Sequence, residues 1–358
     1  MMYKAAQAYR LRQYIAAAAS PANNYMNAMA TMHKMWQPRR RPALQPPMRM
    51  LSAALNTRST ILNHVNKFLM TKAPTEAGNF APVHNINLHY LDHGGDGPVL
   101  ILLHGLTANG HAFDAIAPGI SPSYRVICPD LRGNGLSDKP AFCYTMDDHA
   151  QDIVGLIKHL GQKQVYLGGH SFGGYLAFYI AEKYPELVSR LIILDAAKSM
   201  NANAVNMLSG AISRLDTAYT SFDDYVAHVK KAPYIDFWDP AMVSYYRADV
   251  HDMPNGGVKP NSNIMTITEK SIGLSVIDWP GVIMRIKQPT ILINALDIYT
   301  LGEPLLPEEI ARETVAMMKN AQYASVDGNH LTMLYGDGAQ QIIKQINNFL
   351  PAPATAEI

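Results

Sequence analysis

Gly169-His170-Ser171-Phe172-Gly173 is the stretch of this 358-residue chain whose residue types and spacing most directly suggest chemistry. A serine hydroxyl is a poor nucleophile at neutral pH and needs a base within hydrogen-bond reach. Imidazole, with an unperturbed pKa of ~6.5, suits that role. A carboxylate must then fix the imidazole tautomer and stabilise the imidazolium that forms. The flanking sequence supplies a setting for such a serine. Val165, Tyr166 and Leu167 read as a short buried strand, and Tyr175–Ala181 reads as a helix. A strand that turns sharply into a helix strains the corner residue, and the glycines on either side make room for the turn. The serine is thereby held out at the end of the strand, beside a helix N-terminus that favours developing negative charge.

The elements around this corner are periodic. Ile86, Leu88 and Tyr90 alternate with polar residues, as in a half-buried strand. Val99–Leu103 is a continuous apolar run, expected for a strand covered on both faces, and it leads into His104-Gly105-Leu106-Thr107. Arg125–Cys128 is the next strand, followed by Asp130-Leu131-Arg132-Gly133-Asn134-Gly135-Leu136-Ser137-Asp138-Lys139-Pro140. Thr145 and Asp148 form a capping box ahead of a helix whose apolar face is Ile153, Leu156, Ile157 and Leu160. Leu191–Leu194, Thr290–Asn294 and Tyr323–Val326 are further strands, and a closing helix is expected near 339–350. Strands alternating with helices predict a mostly parallel sheet covered on both sides.

His-Gly after one buried strand, Asp-Leu-Arg-Gly-x-Gly-x-Ser-Asp-Lys-Pro after the next, and Gly-His-Ser-Phe-Gly-Gly at the corner together resemble the α/β-hydrolase family over about residues 82–350. One departure is Asn134, where many members have histidine. The resemblance implies a core from 80–197 and 286–352, with a helical cap at 198–285 inserted before the acid-bearing strand. That inserted stretch is rich in Tyr, Phe and Trp. They suit an apolar acyl or aryl pocket, or the packing of the cap itself.

The resemblance also assigns roles. Ser171 is the nucleophile, His330 the base and Asp297 the acid, in the family's chain order, with Asp195 the alternative acid. The family usually has glycine three residues before the acid, and Asn294 stands there. The backbone N–H groups of Leu106 and Phe172 are the expected oxyanion hole, His104 a loop support, and Asp130 a loop anchor. The expected activity is hydrolysis of a small or medium apolar carboxylic ester through an acyl-enzyme. The alternatives are a C–C bond hydrolase of ring-cleavage diketones, against which Leu331 counts because such members often carry tryptophan after the histidine, and a non-catalytic ligand-binding member. A serine at the corner argues against dehalogenases and epoxide hydrolases, whose corners carry aspartate.

Composition narrows the partners. Residues 1–75 hold 11 of the 30 Lys/Arg and none of the 29 Asp/Glu, so 19 basic residues face 29 acidic ones in the remainder. A mildly acidic body does not suit nucleic acid. No apolar run approaches the ~20 residues of a membrane span. With two cysteines, Cys128 and Cys143, a disulfide framework is not expected, and a reducing, cytoplasmic setting is the default. No metal or cofactor is expected: H-E-x-x-H is absent, and Gly133-x-Gly135 meets Asp138 where a dinucleotide fingerprint has its third glycine. The arm 1–79 carries Arg39-Arg40-Arg41 and, in its first 50 residues, eight of the 19 methionines. It reads as an organelle-targeting segment, a basic tail, or sequence ahead of a true start at Met48 or Met50. The oligomeric state stays open.

Overall fold

The computed structural model describes residues 78–352, so the readings made of the N-terminal arm lie outside the described residues. Eight strands form one sheet in the order β1-β2-β4-β3-β5-β6-β9-β10. They are β1 (Asn79–Val83), β2 (Ile86–Asp92), β3 (Val99–Leu103), β4 (Arg125–Pro129), β5 (Val165–His170), β6 (Val188–Leu194), β9 (Thr290–Ala295) and β10 (Ala321–Val326). The β1/β2 and β2/β4 pairs are antiparallel, and from β4 onward every neighbour is parallel. The sequence reading missed β1. It is joined to β2 by a tight hairpin in which His84 and Asn85 both take positive φ.

β3 illustrates why the central strands read as unbroken apolar runs. Val99, Ile101 and Leu103 pack into the core on one face, and Leu100 and Leu102 into the core on the other. Helix α1 (Met146–His159) starts at the expected capping box: the Thr145 hydroxyl accepts the Asp148 N–H at 3.2 Å and Asp148 accepts the Thr145 N–H at 3.0 Å. Its Ile153, Leu156 and Ile157 are fully buried. Helix α2 (Phe172–Lys183) follows β5 directly and is apolar all round because it lies between the sheet and other helices.

Between β6 and β9 the chain leaves the sheet. It forms α3 (Ala204–Met207), α4 (Ser209–Ser213), α5 (Phe222–Val229), α6 (Ala241–Ala248), α7 (Ile264–Ser275) and α8 (Trp279–Arg285). The reading of this insertion as wholly helical misses a two-stranded sheet, β7 (Val250–Asp252) and β8 (Val258–Pro260). Its turn is local: Gly256 takes φ +81°, the Gly257 N–H bonds the Asn255 carboxamide, and the Met253 N–H reaches the Gly257 carbonyl. After β9 come α9 (Glu308–Ala316), β10 and the closing helix α10 (Gly336–Phe349). Among the described residues, no helix is long and apolar enough to cross a membrane.

Candidate active site

Ser171 sits at the β5–α2 corner with φ 54° and ψ −118°, a strained conformation for a residue with a side chain. The corner needs its glycines. A Cβ on Gly169 would lie 2.2 Å from the Gly173 carbonyl oxygen, and one on Gly173 would lie 2.0 Å from that of Leu103. The Ser171 N–H bonds the Leu194 carbonyl at 2.9 Å, which ties the corner to the end of the neighbouring strand.

His330 lies on the loop after β10, and its Nε2 is 3.0 Å from Ser171 Oγ. Its Nδ1 is 2.6 Å from Asp195 Oδ2. Asp195 is the residue immediately beyond β6, fully buried and turned by a positive φ of 50°. The other oxygen of its carboxylate accepts the Asn294 Nδ2–H at 2.8 Å and the Ala295 N–H at 2.9 Å. The carboxylate is therefore held on both sides.

The first-choice acid of the sequence reading is corrected here. Asp297 is exposed, and its carboxylate accepts the Gly328 N–H at 2.9 Å while its own N–H bonds the Gly328 carbonyl. It clamps the base of the loop that carries His330 and does not reach the imidazole. The insertion accordingly follows the strand whose end bears the carboxylate at His330, rather than preceding it. Asn294, which seemed a departure from pattern, has a local explanation: its carboxamide supports Asp195.

Two backbone donors flank Ser171. Phe172 is the first residue of α2, so its N–H has no carbonyl one turn earlier. Leu106 lies in the loop after β3. The Gly105 carbonyl of the same peptide is engaged by His104 Nδ1–H at 2.7 Å and by the Ala108 N–H at 3.1 Å. In a trans peptide the N–H points opposite to the carbonyl, so these bonds fix the direction of the Leu106 N–H. His104 Nε2 accepts the Leu131 N–H at 2.9 Å, which sets the tautomer. Burial, against a smaller opposing pull from Asp130, drives its pKa down to about 4, so the ring is neutral. His170 is also buried. Its Nε2–H bonds the His330 carbonyl at 2.7 Å, and burial, followed by the nearby His330, holds its pKa well below the ordinary value.

Ser171, His330, Leu106 and Phe172 line one cavity of about 400 Å³. Its other walls come largely from the insertion, including Leu208, Ile212, Arg214, Tyr234, Tyr245 and Trp279. A sequence model of the family described as an alpha/beta hydrolase fold matches residues 98–337. The chain belongs to the α/β-hydrolase fold family. It is 32% identical over 184 residues to 2-(acetamidomethylene)succinate hydrolase of Mesorhizobium japonicum, a match covering 50% of this chain and 64% of that protein. It is 38% identical over 115 residues to a soluble epoxide hydrolase of Corynebacterium, covering 32% of this chain and 40% of that one. Among solved structures, E-2-(acetamidomethylene)succinate hydrolase superposes with a TM-score of 0.66 at 24% identity, covering 76% of this chain and 98% of that chain. The matched stretches thus span less than two thirds of these two curated relatives.

Within this α/β hydrolase the remaining polar residues brace the site. Asp130 accepts from His89 Nδ1 and from the N–H groups of Gly110 and Leu136. Burial opposes its charge, but the bond to His89 and the neighbouring charges hold its pKa down to about 2. Arg132 pairs instead with buried Asp152, at 2.5 and 2.7 Å. Asn134 donates to the Ala108 carbonyl at 2.8 Å and the Ser262 hydroxyl at 3.1 Å, and accepts from Lys270 of α7. Lys270 is almost fully buried. Burial, with added repulsion from Arg132 and Lys139, lowers its pKa to about 7. Nothing in the local sequence marks Lys270, because its partner is 136 residues away. The aromatics of the insertion divide: Tyr234, Tyr245 and Tyr246 line the cavity, while Tyr225 packs against Tyr219 and Tyr246, and Trp238 stacks on Tyr246.

Proposed function

We propose that this α/β hydrolase is a serine hydrolase that cleaves a small or medium uncharged carboxylic ester through an acyl-enzyme. The observation that carries the reading is the continuous relay from Ser171 Oγ through His330 to Asp195, at 3.0 and 2.6 Å, opening into a largely apolar cavity. His330 takes the serine proton as Ser171 attacks the carbonyl, and Asp195 steadies the resulting imidazolium. The N–H groups of Phe172 and Leu106 stabilise the oxyanion, and each such donor is worth ~2.7–4 kcal/mol in the transition state. His330 then returns the proton to the leaving alcohol, and water releases the acid by the reverse sequence.

A serine at the corner favours this reading over the chemistry named for the epoxide hydrolase relative, because a hydroxyl needs the His330 base that lies beside it. The test is hydrolysis of p-nitrophenyl esters of increasing acyl length by wild type and Ser171→Ala. The expected result is turnover that vanishes in the variant. A folded protein that turns over no ester overturns the ester assignment and leaves diketone C–C cleavage as the next substrate to assay.

A further inference from the structure

The wall that the insertion adds to the cavity carries more hydrogen-bond donors than it uses. Tyr234, Tyr245 and Tyr246 of the insertion, with Tyr299 beside them from the loop after β9, line the cavity and are nearly buried. Among the described residues their hydroxyls make no hydrogen bond to the protein. Unlike the unpartnered Tyr219 and Tyr335 hydroxyls, they are not sealed from solvent. Their oxygens therefore keep some exposure, on side chains that line the cavity. Burial raises the pKa of each phenol, so all four are neutral donors. Tyr234 stacks on Tyr299 with ring centroids 5.0 Å apart, and Tyr299 lies edge-on to His330 at 5.7 Å. The group thus borders the reacting centre.

Arg214, 4% exposed, lines the same cavity, and its charge is felt by Tyr234, Tyr245 and Tyr299. Three of its bonds are committed: Nε–H to the Tyr225 hydroxyl at 3.1 Å, one to the Ala211 carbonyl, and one to Asp249 at 2.9 Å. A guanidinium has five N–H donors, so two are unspent. Its positive charge, however, is already matched by buried Asp249, and Lys198 at the same cavity is matched by Glu313 at 2.5 Å. The wall offers donors without a surplus of charge. Donors that the protein does not itself use, gathered on one wall of the cavity, suit an occupant that accepts hydrogen bonds. A carboxylate entering here meets no unpaired cation to offset its desolvation, whereas a neutral oxygen does not incur that cost.

We propose that this wall is a recognition subsite for an uncharged oxygen acceptor, such as a ketone or ester carbonyl, carried by the substrate beyond the scissile bond. The inference deepens the ester-hydrolase reading by specifying the substrate class as oxygen-bearing, uncharged esters. It does not depend on cleavage, because binding alone reports it.

The experiment has a binding arm and a turnover arm. In the first, Ser171→Ala is titrated by calorimetry with three matched methyl esters that it cannot cleave: pentanoate, 4-oxopentanoate and the succinate half-ester. Matched butanoates of hexan-1-ol and 6-hydroxyhexan-2-one place the ketone on the alcohol side. The ketone is expected to bind at least about fivefold tighter than the alkyl ester in one series, the scale of a neutral hydrogen bond. Tyr234→Phe and Tyr299→Phe, each added to Ser171→Ala, are expected to bring that ratio close to one while leaving alkyl-ester binding in place. These changes remove one oxygen each and avoid the Arg214–Asp249 pair, whose loss threatens folding. Equal binding of ketone and alkyl ester in both series overturns the proposal, as does tightest binding of the half-ester. In the second arm, wild-type kcat/KM on the corresponding p-nitrophenyl esters is expected to follow the same order. Absence of all turnover with the ketone preference intact in the binding arm refutes ester hydrolysis and upholds the subsite.

Discussion

On the sheet side of the cavity, Asp195, His330 and His104 are tied down by hydrogen bonds. Asp195 accepts three hydrogen bonds, His330 is held through both ring nitrogens, and His104 locks the Leu106 loop. On the opposite wall, the phenols of Tyr234, Tyr245 and Tyr246 from the insertion and of Tyr299 from the loop after β9 have no protein hydrogen-bond partner among the described residues, while the charge of Arg214 is paired with Asp249. The contrast separates two tasks. In the proposed reaction, the groups that would act on the reacting bond are fixed in advance, so that little reorganisation is needed as charge develops. In the proposed subsite, the groups that would select a substrate have no protein partner among the described residues, so that the right occupant gains what a wrong one forfeits.

The largest effects are expected on the sheet side. Ser171→Ala should reduce kcat on a good ester by ~10⁶-fold, and Asp195→Asn by ~10⁴-fold because the wrong tautomer is then held, both read by steady-state kinetics. An Asp195→Asn enzyme with near-normal kcat would move the acid role elsewhere. Next comes the insertion. Asp249→Asn leaves Arg214 buried and uncompensated, which should cost ~3–5 kcal/mol of stability in urea unfolding. Catalysis in molecules that remain folded should change far less, sharpening the division between the two walls.

Asn294→Ala removes one of the bonds to the Asp195 carboxylate. A hydrogen bond to a charged group is worth ~1.5–3 kcal/mol, so kcat should fall ~10-fold or more with stability affected in parallel. Lys270 gives a pH signature. It titrates near 7 when folded and at the ordinary lysine value of 10.5 when unfolded. Between those values the unfolded chain holds a proton that the folded protein lacks, so this residue makes stability rise with pH. The groups facing it, Asn134, the Tyr144 ring, His104, His149, Arg132 and Lys139, offer it no counter-ion. Lys270→Met should flatten the rise, so its stability relative to wild type should be greater at pH 6.5 than at pH 9 in paired urea melts. An unchanged difference would mean that Lys270 is charged throughout. The smallest effect is expected from Asp297→Asn, with kcat within ~3-fold of wild type, since its exposed carboxylate accepts one backbone bond.

Several features were legible because they depend on neighbours in sequence. The strand–glycine–serine–glycine–helix run, the apolar strands and the Thr145–Asp148 box each require only local conformation and period, and the sheet follows from their alternation. Other features were not legible because distant segments meet. Asp195 and Asp297 each stand just past a parallel strand, and sequence alone ranks them only by habit of the fold. In the sheet, β6 lies directly beside β5, Asp195 turns at once through a positive φ toward His330, and Asp297 is drawn to Gly328 at the outer edge. The insertion was harder still. Arg214 meets Asp249 across 35 residues and Lys270 meets Asn134 across 136, and no periodicity encodes such pairs. The sequence by itself determined the layered fold and marked Ser171 and His330 as the candidate nucleophile and base, because strain, spacing and hydrophobic period are written locally. Only the tertiary structure decided which carboxylate serves the histidine and what the cavity's far wall offers, because both depend on strand order and on side chains brought together from far apart.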